Sequence, residues 1–295
     1  MTNPLLKTIS SYAEKALLYE VSLTPKPGLV DRYSNGAHHD MDFYTFLDSI
    51  VSLAPFFYQY AEAGYNHKGD APLLFEQLRK IEKKAEKAML HATNGINTHK
   101  GANFSFAILL GATGLYIKKG ATLPFTKKDT ESVLQIAKQI VSGIVEKDFQ
   151  HLSCKDKESL TYGEKLYLEH GSTGIRGEAA SGYPTLNKLL DFLRQHTQNN
   201  QEIKYLYALI FLMSETQDSN LLHRGGFEAL KQVQAESSYL FKKNLSAQAF
   251  IHELTIYDLH LTKRHLSPGG SADLLALSIY FSFLEHSLSP SGKNV

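Results

Sequence analysis

Apolar residues recur at intervals of three and four along most of the chain, the spacing that keeps one face of a helix buried. Leu5, Ile9, Ala13 and Ala16 predict a first helix, Ile50, Ala54 and Phe57 a second, and Leu74, Leu78, Ile81, Ala85 and Ala88 a third. Phe104, Ile108 and Leu115 predict a fourth, and Val133, Ile136, Ile140 and Ile144 a fifth. Similar stripes run through Leu186 to Leu193, Leu206 to Met213, Phe250 to Leu261 and Leu274 to Leu284. Thr126 with Asp129, and Thr161 with Glu164, place an acid three residues after a hydroxyl, the pattern of a capping box at a helix start. Alternating runs of Val, Ile and Thr are absent. The expectation is an all-α fold, one multi-helix domain over residues 1–295 with a frayed tail at 287–295.

Composition narrows the function classes. The chain has 295 residues, 43% hydrophobic and 21% charged, which fits a packed core rather than disorder. A net charge of +1 gives no global field for DNA, RNA or anionic lipid, so an anionic ligand must be held by local clusters. Cys154 is the one cysteine and excludes a disulfide within the chain. No signal-peptide pattern opens the sequence and no apolar run is long enough to span a membrane, so a cytoplasmic location is expected.

The chemistry sits between the stripes. Five glycine-rich junctions carry cationic or acidic residues: Thr24 to Asp42, Gly95 to Ala102, Gly174 to Pro184, Asp218 to Gly226 and Ser267 to Asp273. Glycine permits close approach of backbone to a ligand, and the following helix offers unpaired N–H groups and a positive dipole end to phosphate. Lys26, Lys100, Arg176 and Arg224 add full charges, and carboxylates beside phosphates suit magnesium. Each junction alone also reads as an ordinary cap or turn, and Asp42 alone reads as the cap of a helix starting near Phe43. Glu20, on the stripe of the first helix, fits either an ion pair with an internal arginine or a ligand or base in the site. There is no Walker A loop, dinucleotide fingerprint, zinc-protease helix or nucleophile elbow.

The stretches Glu20 to Asp31, Gly36 to Asp42, Asn97-Thr-His-Lys-Gly101, Arg176-Gly-Glu178, Leu222-His-Arg-Gly-Gly226 and Ser267-Pro-Gly-Gly-Ser-Ala-Asp273 resemble the triphosphoribosyl-dephospho-CoA synthase family. The likeness runs from about Glu20 to Leu277 and is nearest to the form serving citrate lyase; a sister form serves malonate decarboxylase. Departures are small: Ser219 stands in place of Thr, Tyr183 of Phe, and Asn103 of an apolar residue.

The resemblance implies transfer of the triphosphoribosyl group of ATP to the 2′-hydroxyl of 3′-dephospho-CoA, with release of adenine. The product would pass to the enzyme that loads the citrate lyase acyl carrier protein. Bond breaking at the anomeric carbon should have oxocarbenium character. On this reading Asp31, Asp218 and Asp273 hold magnesium. Lys26, Lys100, Gly101, Arg176, Arg224, Gly225, Gly226, Gly269 and Gly270 bind the nucleotide. Glu178, placed at a helix start, is the first candidate for the base, and His99 and His223 are candidate proton donors to adenine. A magnesium-dependent N-glycoside hydrolase and a non-catalytic nucleotide-binding regulator are the competing readings; nucleic-acid binding is disfavoured.

Overall fold

The computed structural model describes residues 3–149, 160, 162–196 and 200–285. Among them thirteen helices and no strand are found. They are α1 (Pro4–Ser22), α2 (Phe43–Asn66), α3 (Ala71–Ala92), α4 (Lys100–Lys118), α5 (Lys127–Ile140), α6 (Ile144–Phe149) and α7 (Tyr162–His170), then α8 (Gly174–Ala180), α9 (Pro184–Gln195), α10 (Gln201–Glu215), α11 (Ser219–Lys242), α12 (Ala247–Lys263) and α13 (Gly269–Leu284). The fold is all-α, as the stripes predict. Cys154, Thr161 and the tail at 287–295 lie outside the described residues.

Two helices organise the core. α13 is buried at every position from Leu274 to Leu284, and α4 buries Asn103 and the run from Ser105 to Gly114. A helix apolar all round has no solvent face and must be central. α2 packs against α1, α3 and α4, while α13 packs against α1, α4, α9 and α10. The approach of α2 to α4 depends on glycine: a Cβ on Gly64 would sit 1.9 Å from the Gly111 carbonyl oxygen, and one on Gly114 would sit 2.1 Å from that of Ala61. Asn103, which stands where the resembled family typically has an apolar residue, accepts a hydrogen bond from the buried Tyr60 hydroxyl at 2.9 Å.

Two of the marked caps, at Thr126 and Asp42, form. Thr126 and Asp129 make a reciprocal capping box on α5. Asp42 caps α2, accepting from the Thr45 N–H at 2.9 Å, which is the capping role and not a metal site. One stripe is divided: the predicted fifth helix ends at Ile140, a turn with Gly143 at φ 75° follows, and Ile144 starts α6 while staying buried. The apolar period continues through the turn because both helices face the same core.

Candidate active site

The two core helices are apolar along their length and place their polar N-terminal ends, at Lys100 and Gly269, on one cleft. α8 and α11 begin there too, at Gly174 and Ser219. The cleft has two lobes. The large one, about 1080 Å³, is lined by residues including Lys100, Phe104, Arg176, Glu178, Ser219 and Phe227. The small one, about 160 Å³, is lined by residues including Leu17, Lys26, His38, Phe46, His99 and Arg224. Asn97, Thr98, Asn220, Gly269 and Asp273 belong to both linings and form a shared wall. All five glycine-rich junctions contribute.

The acids behave less like metal ligands than their spacing suggests. Asp218 is buried and uses both oxygens: Oδ1 accepts from the Asn220 and Leu221 N–H groups, and Oδ2 from the N–H and hydroxyl of Ser271. It therefore caps α11 and also ties down the first turn of α13. Burial raises its pKa against the pull of those N–H donors. Asp31 is similarly saturated, accepting from the Tyr33, Ser34 and Lys26 N–H groups and the Thr24 hydroxyl, and it lines neither lobe. Among the described residues no three His, Cys, Asp or Glu side chains are gathered to hold a metal ion, so Asp31, Asp218 and Asp273 form no preformed cage.

Asp273 differs. It stands in the shared wall, and its pKa is raised well above the usual carboxylate range by burial and then by the charges of Glu20 and Asp218. A Cβ on Gly101 would fall 2.2 Å from Asp273 Oδ2, so the bare backbone at the start of α4 is what admits the carboxylate. A Cβ on Gly269 would fall 2.5 Å from the Asn220 amide nitrogen, while one on Gly270 would be only a tight 3.2 Å from the Asp218 carboxylate. Gly225 and Gly226 line neither lobe; Gly226, at φ 70° and ψ −169°, breaks α11 beside the cleft.

Glu20 pairs internally, with Lys26 Nζ at 2.5 Å rather than with an arginine, and both side chains are buried in the wall of the small lobe. Burial raises the Glu20 pKa, and Lys26 opposes the rise. Removing one partner of such a pair leaves an uncompensated charge and costs about 3–5 kcal/mol. In the large lobe, Lys100 pairs with Glu86 at 2.6 Å. Arg176 Nε lies 3.0 Å from Asp148 Oδ2, an ion pair by distance without hydrogen-bond alignment. Arg224, exposed at the small lobe, donates to the Ala37 and His265 carbonyls and to His38 Nδ1.

Glu178 lies in the last turn of α8, and the helix start it meets belongs to α9. Oε1 accepts from the Thr185 and Leu186 N–H groups, while Oε2 accepts from the Thr185 hydroxyl. Burial raises its pKa above that of a free glutamate, with those hydrogen bonds opposing. His99 is buried, with Nδ1 2.7 Å from Ser49 Oγ, and burial followed by Lys26 lowers its pKa to about 3. His223 is exposed at the small lobe, its pKa lowered by partial burial and by Arg224. Ser49, His38, Glu82 and Glu86 were missed in the sequence. Ser49 and Glu86 lie within helical stripes and carry no local signal; His38 sits in a quoted motif without being singled out.

Fold and cleft together describe an all-helical protein whose candidate site lies at the N-terminal ends of its core helices. The profile of the CitG family, described as ATP:dephospho-CoA triphosphoribosyl transferase, matches residues 6–291. The chain belongs to that family. It is 49% identical to a Streptococcus mutans protein named "Probable 2-(5''-triphosphoribosyl)-3'-dephosphocoenzyme-A synthase", over 96% of this chain and 98% of that one. Proteins of the same name from Streptococcus equi subsp. zooepidemicus and Streptococcus pyogenes are 49% and 48% identical, each over 97% or more of both chains. No helix among the described residues is long and apolar enough to cross a membrane.

Proposed function

We propose that this chain transfers the triphosphoribosyl group of ATP to the 2′-hydroxyl of 3′-dephospho-CoA and releases adenine. The family match over residues 6–291 carries the reading, and the cleft supports it. The bond from the ribose anomeric carbon to adenine breaks, and a bond to the acceptor oxygen forms. The hydroxyl gives up one proton and adenine, leaving with the electron pair, takes one up. The product is a prosthetic-group precursor, suited to an enzyme that loads the citrate lyase acyl carrier protein. ATP and a coenzyme A derivative are both cytoplasmic metabolites, and we place the reaction there.

The large lobe has room for the triphosphate and the acceptor. The start of α4 supplies a positive dipole end, those of α11 and α13 being capped by Asp218, and Lys100 and Arg176 add full charges. Glu178 suits the proton acceptor: Oε1 is anchored on the start of α9, Oε2 meets only a hydroxyl, and burial moves its affinity for a proton toward the working range. Magnesium would be held at Asp273, which lines both lobes, rather than at Asp31 or Asp218, whose oxygens are taken by hydrogen bonds. There, with phosphate oxygens completing its shell, it would neutralise triphosphate charge. Lys26 is committed to Glu20 and acts on the wall, not directly on phosphate.

The test is chromatography with mass detection on mixtures containing protein, ATP and magnesium, with and without dephospho-CoA, and with a chelator. Adenine and a coupled triphosphoribosyl product only in the complete mixture is the expected result. Adenine without dephospho-CoA, and no coupled product, would replace the transferase by a hydrolase. Undiminished turnover with chelator would remove magnesium from the scheme.

A further inference from the structure

A transferase that detaches a purine needs somewhere to hold the base as it leaves. The small lobe is about 160 Å³. An apolar cavity of about 150 Å³ takes up benzene, and sites for drug-sized ligands start at roughly 300 Å³. The lobe therefore suits a flat ring system and not a whole nucleotide. Leu17, Leu29 and Val30 give it apolar walls, and Phe46 meets the His99 ring edge-on at 4.9 Å. It joins the large lobe through the wall that holds Asp273, so a nucleotide with its base in one lobe has its ribose at the boundary and its phosphates in the other.

His99 supplies the polar feature. Thr98 Oγ1 donates to Ser49 Oγ at 2.7 Å, which leaves the Ser49 hydrogen for His99 Nδ1, also at 2.7 Å. An imidazole that accepts at Nδ1 carries its own hydrogen on Nε2. That Nε2 is buried and has no hydrogen-bond partner among the described residues. A buried donor without an acceptor is costly and uncommon, and His99 lines the lobe, so an acceptor seated against it there would satisfy it. A purine ring nitrogen is such an acceptor.

We propose that the small lobe is the subsite for the leaving adenine, and that His99, fixed as the Nε2–H tautomer by Ser49 and Thr98, donates a hydrogen bond to a ring nitrogen of that base. The proposal rests on the transferase reading. The ring is neutral at working pH, because burial and Lys26 keep its pKa near 3. It therefore holds its hydrogen while the bond to the ribose breaks and the electron pair moves onto the base; the proton adenine finally gains comes from water. Ser49 is a positioning residue.

The test combines equilibrium dialysis of labelled adenine with steady-state kinetics on wild type, His99→Ala, His99→Gln and Ser49→Ala. Wild type should bind adenine in competition with ATP. His99→Ala should weaken that binding about tenfold and lower kcat about 10²-fold, the scale of losing one preorganised donor. His99→Gln, which keeps a neutral N–H donor, should recover most of both. Ser49→Ala should weaken adenine binding severalfold without changing the KM for dephospho-CoA. Equal adenine affinity in wild type and His99→Ala, or in Ser49→Ala should the former not fold, would overturn the proposal. So would displacement of adenine by dephospho-CoA and not by ATP. Failure of the transferase reading shows separately, as wild type releasing no adenine from the complete mixture.

Discussion

Asp218, at the start of α11, accepts hydrogen bonds from the backbone N–H of Ser271 at 2.8 Å and from its hydroxyl at 3.1 Å, so one buried carboxylate joins α11 to the first turn of α13. Its second oxygen caps its own helix. Asp218→Ala removes both functions. A lost cap costs about 0.5–2 kcal/mol, and here two helix starts lose their acceptor, so destabilisation of roughly 1–4 kcal/mol is expected. Urea unfolding measures it, and a lower midpoint with unchanged slope is the expected form.

Gly101→Ala tests the seat of Asp273. The added methyl would lie 2.2 Å from Oδ2, so the carboxylate must move. Misplacement of a reacting group by about 1 Å can cost 10²-fold, and kcat/KM should fall by roughly that factor. The melting temperature should change little, since alanine suits a helix start. Wild-type turnover would show that Asp273 need not sit where it does.

Glu178→Gln separates cap from base. The amide oxygen can still accept from the Thr185 and Leu186 N–H groups, so the fold should persist. If the carboxylate takes the hydroxyl proton, kcat should drop by about 10²–10⁴ while ATP binding is retained. Full turnover would leave Glu178 as the cap of α9 alone.

His99 predicts a pH dependence of stability. Its folded pKa is lowered to about 3, mainly by burial. Between that value and the ordinary one near 6.5, the unfolded chain binds a proton that the folded chain refuses. The His99 share of stability should therefore fall as pH drops below about 6.5, by up to about 1.4 kcal/mol per unit, while the raised carboxyls of Asp273, Asp218, Glu20 and Glu178 act in the opposite sense. His38, lowered by burial and Arg224, adds to the wild-type slope, and Lys26 is the cation acting on His99. His99→Gln should flatten the slope by the His99 share, read from denaturation at pH 7, 6 and 5. Parallel slopes would mean that His99 is protonated in the folded protein.

The helices were legible because burial imposes a period, and a period needs no tertiary knowledge. The box at Thr126 and the cap at Asp42 were legible for the same local reason. The gathering of five junctions into one cleft was also within reach. The roles of the acids were not. A carboxylate before a helix has the same sequence environment whether it grips a cation or its own backbone, and Asp31 and Asp218 prove to be gripping backbone. Glu178 looked like the start of its own helix and serves the next one. The Thr98–Ser49–His99 relay joins positions some fifty residues apart, and no window along the chain brings them together.

The placement of the cleft at the ends of α4 and α13 ties inactivation to melting. In enzymes whose reactive groups ride on peripheral loops, mild heat or denaturant can silence activity while the protein stays folded. Here the two helices that fill the interior also present the site, so the interior cannot loosen without disturbing the reactive end. Turnover and near-ultraviolet dichroism should decay together along a denaturant titration. Activity would then serve as a direct gauge of how much of the population is folded.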